Sequence, residues 1–218
     1  TTLATGLFFA AAIAGWVVTA QDPAFAHRVL GPDMIATIER HEMWTHSLVA
    51  MKPVAASQIT TNNLSVAFAA AAGGITVVGT LLMMIFNGLL MGVIGAATAA
   101  AGMALPLWSF VAPHGALELP AIFLAGGAGL ELARGLLFPG LLPRRISLAQ
   151  AGGRAVRLML GAVPLLLVAG TIEGFFSASA APVALKFALG GVLLACLLTY
   201  LFGRWSTTGS GPSPADTH

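Results

Sequence analysis

The sequence predicts an all-α fold, a polytopic transmembrane bundle of about six spanning helices with one short extracytoplasmic helix. Three observations carry that prediction. First, 57% of the 218 residues are hydrophobic and only 8% are charged, where a soluble domain carries roughly 25% charged residues. Second, apolar stretches of about 20 residues, the length a helix needs to cross a bilayer, recur along the chain. Third, the net charge is +2 and no run of Lys or Arg suits nucleic acid, so the lipid bilayer is the expected partner and nucleic acid is excluded.

The first span is 3–20, ending near Trp16, an interface-type aromatic. It reads as a retained helix rather than a signal peptide: the Ala-Phe-Ala at 24–26 resembles a cleavage site, but no basic segment precedes the apolar run. The chain begins Thr-Thr-Leu without an initiator Met, so residues have been removed or the chain is a fragment. Residues 21–63 form the one long polar stretch, with Asp22, Asp33, Glu39 and Glu42 balanced by Arg28, Arg40 and Lys52. Gly31-Pro32-Asp33 reads as the start of a short interfacial helix. His41 and His46 are five apart, a poor metal spacing, and read as solvated.

Residues 64–106 carry no charge and are too long for one span. Asn87-Gly88 is a strong turn signal and divides them into predicted helices at 64–86 and 88–105. Gly88 with Gly92, and Gly170 with Gly174, have the small-xxx-small spacing that lets helices approach closely. A link at 107–113 leads to a helix at 114–138, started by Pro113 and closed by Phe138-Pro139-Gly140. Spans at 156–176 and 183–203 follow, making 1–205 one membrane domain, with a disordered Ser/Gly/Pro-rich tail at 206–218. Cys196 lies in an apolar run and reads as a packing residue. Arg144, Arg145, Arg154 and Arg157 cluster in one loop, which the positive-inside rule places in the cytoplasm. Both chain ends then fall inside, and 21–63, the link and the 177–182 turn fall outside.

Ionisable groups within spans are costly, about 2.5–3.5 kcal/mol or more each, and mark function or a buried partner. His114 and Glu118 share one helix face, four residues apart. The topology brings Glu173 to the same outer level. Pro120 frees backbone carbonyl groups beside Glu118. Glu131 lies 13 residues beyond Glu118, roughly 20 Å deeper. With Arg134 three residues on, it reads as a local ion pair near the cytoplasmic end. Asn63 and Asn87 are secondary polar positions. For His114, Glu118 and Glu173 a structural or docking role is the preferred reading. One imidazole and two carboxylates are also a donor set for a divalent cation, although the His-Glu-x-x-His run of hydrolytic zinc sites is absent. No catalytic residue, metal or cofactor is expected.

Asn62-Asn63, Asn87-Gly88, the run from His114 to Ala121 (His-Gly-Ala-Leu-Glu-Leu-Pro-Ala), Ala-Gly-Gly-Ala-Gly at 125–129, Pro139-Gly140, Gly161-x-x-Pro164 and Ile172-Glu173 together resemble the stage II sporulation protein M family over about residues 60–190. The 114–121 run is the most specific part. The resemblance implies a membrane component of a sporulation engulfment complex that works with peptidoglycan-degrading partners and is not itself the hydrolase. Relatives also occur in bacteria that do not sporulate. The expected function is therefore a non-enzymatic scaffold or anchor for envelope remodelling in the bacterial inner membrane. Its expected partners are other envelope proteins, peptidoglycan hydrolases and further copies of itself. Two alternatives stay open: a transporter or channel using the His/Glu cluster, and an intramembrane metal-dependent hydrolase.

Overall fold

The computed structural model describes residues 1–42 and 52–207. Among the described residues there are seven α-helices and no β-strand. They are α1 (Thr2–Gln21), α2 (Ala24–Glu39), α3 (Lys52–Ala72), α4 (Val78–Ala100), α5 (Ala104–Leu137), α6 (Arg144–Ile172) and α7 (Val183–Thr207). A short 3-10 turn, Gly73–Thr76, follows α3, and a widened π-type turn, Glu173–Ser177, extends α6. His46 and residues 208–218 of the expected tail lie outside the described residues, while Ser206 and Thr207 end α7. Helices α1, α4, α5, α6 with its π turn, and α7 are each long and apolar enough to cross a membrane. Their outward faces carry large apolar side chains such as Ile13, Leu82, Leu160 and Phe202, as lipid contact demands.

Close approaches between backbones fix the direction of each helix. Gly88 and Gly92 of α4 lie against the backbone of Phe8 and Ala12 of α1, so those two helices run parallel. Thr1 and Ala4 meet Gly127 and Gly126, and Phe8 packs edge-on to Phe123 with centroids 5.3 Å apart, so α1 runs antiparallel to α5. Two parallel helices consecutive in the bundle need a return crossing between them, and α3 supplies it. Its Ala56 and Thr60 pack on Gly174 and Gly170 at one end, and the chain just past it brings Gly74 onto Gly129 at the other. Helix α3 is polar in its early turns, with Ser57, Gln58, Thr60, Thr61, Asn62 and Asn63, and is not among the five most apolar helices. Its small residues Ala67 and Ala70 enter the main core with Met84, Ala121, Ala125 and Leu166. Thr1 and the arginine-bearing start of α6 therefore share one end of the bundle. The α2 segment, the 101–103 turn and the π turn share the far end.

The small-residue pairs behave as their spacing predicts: both Gly88/Gly92 and Gly170/Gly174 are sites where a neighbouring backbone or short side chain leaves no room for a Cβ. The Asn87-Gly88 turn does not form. Both residues lie within α4, where Asn87 Nδ2 donates to the Met83 carbonyl at 2.8 Å. The chain reverses at Gly73–Thr76 instead, where Val77 is held at φ 65°. The helices expected at 64–86 and 88–105 are thus Lys52–Ala72 and Val78–Ala100. The next turn is at Gly102, with φ 72°, a left-handed conformation that glycine adopts without penalty.

Pro113 does not start a helix. Helix α5 begins nine residues before it, at Ala104, so the 107–113 link is helical and both Pro113 and Pro120 lie inside α5. Each proline removes the amide that would bond the carbonyl four residues back, at Ser109 and Ala116. Helix α6 likewise starts at Arg144, so Arg144, Arg145, Arg154 and Arg157 all stand on its first turns rather than in a loop. At the far end α2 is bent at Gly31-Pro32, with Gly31 at φ 76°. It folds Ala26 and Ile35 onto Val93 of α4.

Candidate functional site

The site is assembled from one helix and the turn facing it. His114 stands on α5, packed edge-on to Phe110 with centroids 5.2 Å apart, and Glu118 follows one turn later. Glu173 and Ser177 come from the π turn, whose wider winding is seen in the Ala178 amide donating to the Glu173 carbonyl at 3.3 Å. Such turns insert a residue into a helix and re-aim the side chains beside it. One close contact seats this turn in the bundle, Gly174 resting on Ala56 of α3, and beside the site Gly190 of α7 rests on the Ala112 backbone of α5.

The imidazole is the centre of the arrangement and is only 5% exposed. Its Nδ1 hydrogen-bonds with Ser177 Oγ at 3.0 Å. Its Nε2 faces Glu118 Oε2 at 3.8 Å and Glu173 Oε2 at 3.9 Å, beyond hydrogen-bond reach. One donor atom from each of the three residues can be chosen so that all lie within 4.8 Å of one another. Two full negative charges at that separation would repel by about 3.5 kcal/mol at an effective dielectric of 20, so a proton or a cation must offset them. The nearby Lys186 of α7 donates from Nζ to the Ser177 carbonyl at 2.7 Å and makes no ion pair with either carboxylate. Among the described residues no Lys or Arg forms an ion pair with Glu118 or Glu173.

The structure thus brings His114, Glu118 and Glu173 together and leaves the other candidates elsewhere. Asn87 bonds its own helix, and Asn63 Oδ1 accepts from its neighbour Asn62 Nδ2 at 3.5 Å. Glu131 is not primarily a partner of Arg134. That contact is 3.9 Å, with the Arg134 side chain 70% exposed, whereas Arg154 Nε of α6 donates to Glu131 Oε2 at 2.7 Å. A three-residue spacing permits a local pair, but the antiparallel packing of α5 on α6 offers a better-aligned guanidinium 23 residues away.

Sequence reasoning missed Ser177 and Lys186. Lys186 carries a visible signal, since it is one of two lysines in the chain and sits inside an apolar span. Ser177 carries none, because its role depends on the π turn.

The fold and site define a polytopic helical membrane protein with a buried polar knot at one end of its bundle. The family model for stage II sporulation protein M matches residues 4–178, so the chain belongs to that family. Comparison with curated proteins and with solved structures gives no match.

Proposed function

We propose that this protein is a non-enzymatic membrane scaffold that anchors an envelope-remodelling complex, with peptidoglycan-degrading enzymes among its partners. The reading places it in the bacterial cytoplasmic membrane with the arginine end and both chain ends inside. The family supports a sporulation-related membrane protein. The observation that carries the scaffold role is the burial of His114 and Ser177 in the packing between helices. His114 is buried between helices, and its ring is tied to Ser177, which Lys186 holds in turn. Two clefts are lined by other residues: one under α2, of about 480 Å³, by Trp16, Thr19, Ile35 and Ala97, and one between α5 and α7, of about 570 Å³, by Phe123, Phe187 and Leu194. A transport path would need the ionisable groups to line a cavity.

Depletion of the protein from its host, with a fluorescently tagged peptidoglycan hydrolase followed by microscopy, tests the role. The hydrolase should disperse from its site, and the purified protein should release no fragments from isolated cell-wall sacculi. Release of fragments by the purified protein would establish the hydrolase reading. Ion flux through proteoliposomes that Glu118→Gln abolishes would establish the transport reading.

A further inference from the structure

We infer that His114, Glu118 and Glu173 form a binding site for one divalent cation, Zn²⁺ by its donor set, clamped between α5 and the π turn after α6. The inference goes beyond the anchoring role and does not rest on it, because metal binding is read on the purified protein alone.

Three features support the site independently. The first is convergence without mutual satisfaction. The Nε2 atom of a 5%-exposed imidazole points between two carboxylates at 3.8 and 3.9 Å, and none of these atoms reaches another as a hydrogen-bond partner. Zinc bonds of 2.0–2.1 Å in a tetrahedron set donors about 3.3–3.4 Å apart. Closing the imidazole–carboxylate gaps therefore takes movements of about half an ångström, within reach of the Glu side-chain torsions.

The second feature is orientation. A metal-bound histidine commonly donates its other ring N–H to a fixed acceptor, which sets both tautomer and ring plane. Ser177 Oγ occupies that position at 3.0 Å from Nδ1. Ser177 is itself held by the bond from Lys186 Nζ to its carbonyl. With Nδ1–H donating to Ser177, the Nε2 lone pair is free for a cation.

The third feature is charge. Lys186, the lysine beside the site, bonds a backbone carbonyl, and among the described residues neither it nor any Arg forms an ion pair with the two carboxylates that share the site. Three protein donors, one imidazole and two carboxylates, suit Zn²⁺ or Mn²⁺ better than the all-oxygen cages of Ca²⁺ and Mg²⁺. They leave a fourth position for water.

The test is to purify the protein in detergent, strip it with EDTA and titrate it with ZnCl₂, in competition with a fluorescent zinc chelator. Bound metal is counted by mass spectrometry, and a parallel titration uses MnCl₂. One zinc per chain is expected, with affinity reduced at least tenfold in Glu118→Gln and in Glu173→Gln. Ser177→Ala should weaken binding about 10–100-fold, as loss of a group orienting a metal ligand does. Glu131→Gln, at the other end of α5, should bind as the parent does. Circular dichroism and a size-exclusion profile establish that each variant is folded. Mn²⁺ binding with the same dependence on both glutamates supports the site equally. Absence of both metals from the folded parent protein overturns the proposal. So does zinc binding that survives both glutamate substitutions, which would place the ion on surface groups such as His27 or His41.

Discussion

Helix α5 carries carboxylates at two levels, and their surroundings are opposite. At the arginine end, Glu131 receives a 2.7 Å bond from Arg154 of the neighbouring helix and has Arg134 at 3.9 Å. At the far end, Glu118 shares its site with a second carboxylate and an imidazole, and among the described residues no guanidinium or ammonium forms an ion pair with either acid. The first is a compensated charge near an interface, where long side chains keep their charged heads toward water. The second is an uncompensated group that needs a proton or an ion. A carboxylate within an apolar span is therefore not a functional signal in itself. What distinguishes the two levels is whether the neighbouring helix delivers the opposite charge.

The largest expected effect concerns which face of the membrane each level occupies. Leu141, between α5 and α6, and Ala180, after the π turn, are both exposed and lie at opposite ends of the bundle. In a Cys196→Ser background, Ala180→Cys should react with a membrane-impermeant maleimide added outside intact cells. Leu141→Cys should react only after the membrane is opened. Reaction of Leu141→Cys from outside would reverse the proposed orientation and put the polar knot on the cytoplasmic side.

A smaller effect sharpens the contrast at the arginine end. Arg154→Ala should lower stability in detergent by about 1–2 kcal/mol, since it strips a partly buried carboxylate of its main partner. Arg134→Ala should cost under about 0.5 kcal/mol, because that side chain is largely exposed. Thermal midpoints of the two variants check this ordering. Equal losses would mean that the two guanidiniums share the charge evenly.

The smallest effect comes from a charge outside the spans altogether. Asp22, between α1 and α2, accepts bonds from Arg28 at 2.7 Å and from the Ala24 amide at 3.0 Å. The Arg28 bond, with a smaller contribution from Ala24, holds its carboxyl below the ordinary value of 3.8 against a modest opposing effect of desolvation. A carboxyl with a lowered folded pKa stabilises above its unfolded value, and that contribution disappears as the pH falls through the lowered one. NMR titration of the Asp22 carboxyl should show a midpoint below 3.8, and Arg28→Gln should move it back upward. An unmoved midpoint would show that the pair is open in solution. Because both side chains are exposed, neither change should measurably alter the thermal midpoint.

The sequence by itself determined the class of protein, the family resemblance, and which side chains would be costly inside apolar helices. Those are local properties: hydropathy over about 20 residues, and the three- and four-residue spacings that set a helix face. It also indicated the close approaches at Gly88, Gly92, Gly170 and Gly174, because small residues four apart make a smooth groove on any helix. It misplaced the reversal between α3 and α4 because a glycine beside an asparagine reads the same whether it bends the chain or admits a neighbouring helix. Here Phe8 of α1 occupies the space over Gly88, and the bend falls at Gly73–Thr76. Only the tertiary structure decided the pairings. Arg154 reaches Glu131 across 23 residues and Ser177 reaches His114 across 63. Both depend on how two helices are rotated against each other, and for Ser177 also on the widened turn that carries it. Those rotations follow from packing summed over whole interfaces, which a single stretch of sequence does not contain.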